Sequence, residues 1–320
     1  MKTFRIGLVG MGFIADWHYQ GFAETDAEII GMTQDLYGDD AKMSAMRKQL
    51  EDKCSAWNIK AYENFDAIVN DPAIDALVIG SVNPYHYDQI MKALEKGKHL
   101  LVEKPVVTQI GQLDTIEKKA EETGLVVFPA HNFVYRPDLM RAKKTIESGG
   151  LGKIVYASFI SSHTISEAHA GGWRGNLALS AGGALMDSGH HLVYQSVYLM
   201  GMPVKIQAFT SNLVLKQMEG EDIAQVNLIY PDSSIGLIMQ SWTSNHGADI
   251  DGIKIIGTES SLAVTEVDYA ATFQQQAAAF LDAVENGSSP LSDLNDARDT
   301  LRLIRSAYES AEKNQVVDIF

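Results

Sequence analysis

A short apolar run over residues 4–9 ends at Gly10-Met11-Gly12-Phe13-Ile14-Ala15 and passes directly into a helical pattern over 14–23. Strand, glycine turn and helix in that order commit the chain to a parallel sheet with helices on its faces. The spacing is G-x-G-x-x-A. The first glycine permits a tight turn, the second lets a pyrophosphate approach the backbone, and the small Ala15 lets helix and strand pack closely. The phosphates would meet free N–H groups at the helix N-terminus. Gly10, Gly12, Phe13 and Ile14 are therefore expected to bind a dinucleotide. The plainer alternative is a structural turn.

The alternation continues to about residue 130. Strands are expected at 28–33, 76–80, 99–102 and 126–130, and helices at 40–53, 85–96 and 109–123, the last two stopped by Gly97 and Gly124. This is a doubly wound parallel α/β domain, assigned to residues 1–128. The pattern then changes. After a helix at 137–148 come longer strands at 154–162, 204–212, 222–230 and 235–242, the last two joined by Pro231-Asp232-Ser233-Ser234. Ala224, Val226, Leu228 and Tyr230 share one face, while Asp222, Gln225 and Asn227 interrupt the apolar character elsewhere. A large, mainly antiparallel open sheet is expected, with one face buried and one mixed. A strand at 261–264 and helices at 272–285 and 294–313 close an α+β domain assigned to residues 129–320.

Hydrophobic residues make up 46% of the 320 and charged residues 21%, enough for about two globular domains. Lys and Arg number 26 against 41 Asp and Glu, a net charge of −15 with no basic block, so no nucleic-acid partner is expected. No run approaches the ~20 apolar residues of a membrane span, so no membrane partner is expected either. The N-terminal apolar run is too short for a secretion leader and meets a glycine turn instead of a cleavage site, which points to a cytoplasmic location. The lone Cys54 excludes an internal disulfide and a cysteine-based zinc site.

Four further segments carry chemistry. Gln34-Asp35 ends the second strand, 23 residues after Gly12 in the case of Asp35, where an acid would hold the adenine ribose hydroxyls. No base occurs over 36–40, so NAD is favoured over NADP. Gln34 is the alternative holder, and capping of the next helix the structural one. Ser81, Asn83 and His86 follow the strand at 76–80 and suit either the nicotinamide ribose or a helix start. Lys104 follows the strand at 99–102 in Glu103-Lys104-Pro105, at the sheet edge where ligands bind, with its conformation restricted by the proline. The richest cluster is Gly182-Gly183-Ala184-Leu185-Met186-Asp187-Ser188-Gly189-His190-His191. A helix over 184–200 would put Asp187 and His191 on one face, with the carboxylate orienting a histidine suited to proton transfer. His190 would point elsewhere. Upstream, Trp173 can stack on a sugar and Arg174 can bind hydroxyls or a carboxylate, with His163 in the same stretch. No spacing supports a metal site.

Together these residues resemble the glucose–fructose oxidoreductase / inositol dehydrogenase (Gfo/Idh/MocA) family over nearly the whole chain. The resemblance rests on Gly10-x-Gly12-x-x-Ala15, Asn83-Pro84-x-His86, Gly97-Lys98-His99 and Glu103-Lys104-Pro105. It continues through Arg136-Pro137, Trp173-Arg174, Gly183-x-x-x-Asp187-x-Gly189-x-His191 and Gly257-Thr258-Glu259. It implies a Rossmann-type N-terminal domain holding NAD(P), with Glu103 and Lys104 at the cofactor. It also implies a catalytic set of Lys104, Asp187 and His191, a sugar, polyol or cyclitol substrate, and a homodimer or homotetramer formed through the C-terminal sheet. Two positions depart from the pattern. Ala181 stands where a third glycine is frequent, and Tyr194 stands where an acid often follows the histidine.

The expected function is a hydride-transferring dehydrogenase acting on a secondary hydroxyl. His191 would be the base, Asp187 its orienter or a substrate ligand, and Lys104 the donor to the reacting oxygen. The rivals are an NAD-dependent glycosidase of the same family and a nucleotide-binding sensor without turnover.

Overall fold

Strand β1 (Arg5–Val9) is central because its last four residues are buried. Apolar side chains covered on both faces suit a parallel sheet between helix layers. The computed structural model describes residues 3–243, 251–265 and 268–319. Its first sheet also contains β2 (Glu28–Thr33), β3 (Lys60–Ala61), β4 (Ala76–Ile79), β5 (His99–Val102) and β6 (Val127–Pro129). The order is β3-β2-β1-β4-β5-β6, and every pair is parallel. The connecting helices are α1 (Phe13–Ala23), α2 (Asp40–Trp57), α3 (Phe65–Val69), α4 (His86–Glu95) and α5 (Ile110–Thr123). Side-chain caps start two of them. Asp39 accepts the Lys42 N–H ahead of α2, and Asn64 accepts the Ala67 N–H ahead of α3. The chain leaves β1 toward β2 and later returns on its other side as β4. Strand order therefore reverses between β1 and β4, and their carboxyl ends form the switch point at which such sheets bind ligands.

The later elements are α6 (Pro137–Glu147), β7 (Ile154–Ser162), α7 (Glu167–Ala170), α8 (Leu177–Ser180), α9 (Gly189–Met200), β8 (Lys205–Ser211), β9 (Ile223–Ile229) and β10 (Ile235–Ser241). They are followed by β11 (Gly252–Gly257), β12 (Ser261–Val264), α10 (Tyr269–Asn286), α11 (Leu294–Lys313) and β13 (Val317–Asp318). The second sheet runs β12-β11-β7-β10-β9-β8-β13. All of its pairs are antiparallel except β7 with β10. The register puts Ala208, Val226, Ile238, Phe159 and Ile253 on one buried face. Helix α9 packs against β7 and β10. The opposite face carries Phe209, Ile229, Ile235 and Ile256, all exposed. The β9–β10 hairpin closes where Asp232 Oδ1 accepts from both the amide and the hydroxyl of Ser234.

The chain forms two compact units, and neither is one continuous stretch. The first comprises residues 1–132 and 268–294, the second 133–267 and 295–320. The sequence reading, by contrast, divides the chain once, between 128 and 129. Aromatic packing explains the return. Trp17 stacks on Phe273, Phe22 and Phe128 each meet Phe280 edge-on, and α10 lies along α1. No helix among the described residues is long and apolar enough to cross a membrane.

Candidate active site

The dinucleotide turn is fixed by main chain. Gly10 has φ +104°, and a Cβ there would lie 2.4 Å from the Gly80 carbonyl oxygen, so β1 and β4 approach too closely for any side chain. Gly12 is the N-cap of α1 and offers no side-chain cap. No atom lies within 4 Å of the position its Cβ would take. Open space over uncapped helix N–H groups fits a pyrophosphate. Phe13 begins the helix 66% exposed, and Ile14 lies against Gly80. Gln34 Oε1 accepts the Met11 N–H at 2.8 Å, and its amide donates to the Asp35 carbonyl at 2.9 Å. Asp35 Oδ2 accepts from Gln89 at 2.9 Å, and Gln89 in turn accepts from the Ser81 hydroxyl at 2.6 Å. Burial raises the Asp35 pKa, opposed by the Gln89 hydrogen bond and by His86. Lys53, which the sequence reading passed over, donates to the Met11 carbonyl at 3.1 Å and to Asp16 at 2.9 Å. It places a cation beside the glycine turn.

Lys104 leaves β5 at the same sheet edge. Its N–H donates to its neighbour Glu103 at 3.1 Å, while Glu103 Oε1 lies 2.8 Å from His18 Nε2. Glu103 is 8% exposed and braces the loop. His86 is likewise only 1% exposed, with its ring nitrogens 3.0 Å from the carbonyls of Pro105 and Ser81. It ties the Lys104 loop to the loop after β4. Asn83 is also buried. His131, at the end of β6, bonds the Ser292 hydroxyl at 2.7 Å. Complete burial, with the Lys104 charge nearby, pushes its pKa down to about 3.

In the second unit the expected helix over 184–200 begins only at Gly189. Asp187 lies in the preceding turn, its N–H donating to the Gly183 carbonyl. The expected helix start at Ala184 is therefore corrected to Gly189, with Asp187 two residues ahead of it. Asp187 Oδ2 accepts from Arg174 Nε at 2.5 Å, and that guanidinium sits 4.4 Å from the Trp173 ring centroid. His191 Nδ1 lies 2.8 Å from the Tyr194 hydroxyl, which accepts the Phe133 N–H at 3.1 Å. The Phe133 ring flanks His191 at 4.8 Å. His163 is near enough to feel the Asp187 and Asp251 carboxylates, which raise its pKa, but burial outweighs them and lowers it. His190 is buried. Among the described residues no cluster of three His, Cys, Asp or Glu side chains is placed to hold a metal.

A glycine turn of dinucleotide-binding type and a lysine lie at one edge of the parallel sheet, where such sheets bind ligands. Residues 4–131 match the oxidoreductase family with an NAD-binding Rossmann fold, and residues 139–263 match the GFO/IDH/MocA C-terminal domain. The chain belongs to the GFO/IDH/MocA oxidoreductase family. Among its relatives, scyllo-inositol 2-dehydrogenase (NADP(+)) of Bacillus subtilis is 29% identical over 163 residues, covering 51% of this chain and 44% of the relative. The chain thus spans less than half of that relative's length. The NAD(+) enzyme of the same name and organism is 26% identical over 263 residues, covering 81% of this chain and 72% of the relative. A levoglucosan dehydrogenase structure, in complex with NADH and levoglucosan, superimposes with a TM-score of 0.88 at 19% identity, covering 100% of both chains.

Within this GFO/IDH/MocA member, several supporting residues escape sequence reasoning. His18 sits on an apolar helix face, and nothing local marks it as the partner of Glu103. Tyr194 was visible one helical turn after His191, and that spacing alone could have suggested the pair. Glu221 and Asp222 stand at the entrance to an apolar strand, where two adjacent acids are a warning sign that the β pattern by itself does not interpret.

Proposed function

We propose that this GFO/IDH/MocA protein is an NAD-dependent dehydrogenase that reversibly oxidises a secondary hydroxyl of a sugar, polyol or cyclitol to the ketone. The observation carrying this reading is Lys104 at the sheet edge that bears the glycine turn, its N–H held by Glu103 and the following Pro105 carbonyl by His86. When bound, the nicotinamide supplies the acceptor for the hydride leaving the substrate carbon. Gly10, Gly12, Phe13 and Ile14 hold the dinucleotide, with Asp35 toward the adenine ribose. Lys104 donates to the reacting oxygen and stabilises negative charge developing there. His191 takes the hydroxyl proton, with its ring fixed by Tyr194. Asp187 and Arg174, as an ion pair, offer an acceptor and donors to neighbouring substrate hydroxyls, beside the Trp173 ring and His163.

NAD is favoured over NADP because Asp35, Asp39 and Asp40 would oppose a 2′-phosphate. A homodimer or homotetramer would cover the exposed face that carries Phe209, Ile229, Ile235 and Ile256. A cytoplasmic setting suits the buried free thiol of Cys54. The test is a panel of inositols, aldoses and polyols assayed for NADH absorbance. Stoichiometric NADH with a ketone product supports the dehydrogenase. Cleavage of an aryl glycoside without net NADH would instead establish the glycosidase, and NAD binding with no turnover on any member would favour a sensor.

A further inference from the structure

Two adjacent acids, Glu221 and Asp222, enter β9 almost wholly buried, at 9% and 0% exposure. Burying carboxylates is costly unless each finds donors. Here the Asp222 carboxylate finds three consecutive main-chain N–H groups, and the Glu221 carboxylate finds two in another loop, with the N–H between them reaching the Glu221 carbonyl. Glu221 takes the Gly183 N–H on Oε2 at 3.1 Å, the Ala184 N–H on its carbonyl oxygen at 2.8 Å and the Leu185 N–H on Oε1 at 2.9 Å. The Tyr308 hydroxyl adds a fourth bond to Oε1 at 2.9 Å. Asp222 takes the Leu213 N–H on Oδ1 at 2.9 Å, and those of Val214 and Leu215 on Oδ2 at 2.7 and 2.8 Å. Successive residues of an extended chain point to opposite sides, which is why neighbours can grip separate loops.

The grip closes into a circuit around Asp187. Glu221 holds Gly183, whose carbonyl accepts the Asp187 N–H. The following residue, Ser188, accepts from Trp242 Nε1 at 2.8 Å, and the Trp242 N–H donates to the Asp222 carbonyl at 2.8 Å. The turn is so close to Glu221 that a Cβ on Gly183 would lie 2.0 Å from the Glu221 carbonyl oxygen. Burial raises the Glu221 pKa against the pull of its N–H and hydroxyl donors.

We infer that Glu221 and Asp222 are positioning residues, which act on the reaction by fixing the turn that presents Asp187 to substrate. The inference rests on the proposed role of Asp187 as a substrate-facing residue. In Glu221→Gln, either amide orientation points an NH2 group at a main-chain N–H, of Gly183 or of Leu185, and one grip is lost.

The test combines Glu221→Gln with the milder Tyr308→Phe. Hydrogen exchange of the 183–185 amides should accelerate in both, more in Glu221→Gln, while NADH affinity measured by fluorescence stays unchanged. On a substrate identified from the panel, kcat should fall about tenfold or more in Glu221→Gln and less in Tyr308→Phe. Unchanged exchange or wild-type kcat in folded Glu221→Gln overturns the inference. So does a kcat loss matched by an equal loss of NADH binding, which would mark a global defect. Asp187→Asn separates the two readings. If that variant keeps wild-type kcat, the role of Asp187 fails, whereas the exchange data still judge the grip.

Discussion

His191 Nδ1 stands 2.8 Å from the hydroxyl of Tyr194, one turn along the same helix, and that hydroxyl also accepts the Phe133 N–H. A neutral phenol thus occupies the place of a carboxylate beside the proposed base. Tyr194→Phe removes one partner from a part-buried N–H and from the imidazole at once. An unsatisfied buried donor costs about 1–3 kcal/mol, so the urea midpoint should fall with the slope preserved. The kcat should fall as well, since the ring loses its anchor. A variant with wild-type stability and kcat would sever Tyr194 from the site.

Lys104→Ala should bind NADH almost normally and lose most turnover. Losing one donor to a developing oxyanion commonly costs about 10²–10³ in rate. Near wild-type kcat on the true substrate would end the assignment.

NADH should bind more tightly than NADPH, because Asp35, Asp39 and Asp40 follow β2 with no base among residues 36–40. Asp35→Ser should narrow the gap. Fluorescence titration of both reduced cofactors decides, and tighter NADPH binding by the wild type would reverse the reading. Lys42, whose ammonium folds over the Tyr37 ring at 4.2 Å, would then be the base to substitute.

Stability should decline on acidification because of His131. Its folded-state pKa lies near 3, against an ordinary 6.5. Below pH 6.5 the unfolded imidazole binds a proton and the folded one does not, so stability is complete above 6.5 and is lost as pH falls toward 3. At about pH 5 the loss from this residue alone is roughly 2 kcal/mol. Urea midpoints across this range, compared with those of His131→Gln, should show a shallower acid slope in the variant. Equal slopes would remove His131 from the account.

The outer face of the second sheet should be an interface between copies. Ile235→Lys, placed opposite Ile229 in the register, should shift the species seen by light scattering toward monomer. A wild type that is monomeric at micromolar concentration would contradict this.

The alternation of short apolar runs with helical periods was sufficient to place most of the longer elements, since local period and turn residues are written into neighbouring positions, but it missed β11 inside the second sheet and the short β3, β13, α3, α7 and α8. The glycine turn and Lys104 were legible for the same reason, because each depends on its immediate flanks. The sequence could not tell that the cluster around Asp187 breaks before its helix. Gly183 to Leu185 are held by Glu221 from 36 to 38 residues away, and that grip overrides the local helical pattern. Nor could it pair Asp187 with Arg174, Glu103 with His18, or residues 268–294 with the first unit. Those partners are set by which surfaces the folded chain brings together. The sequence by itself determined the longer elements and the chemistry available at their ends. Tertiary structure decided which of those groups stay open to a ligand and which are spent holding the others in place, because buried polar groups must find partners wherever the fold supplies them.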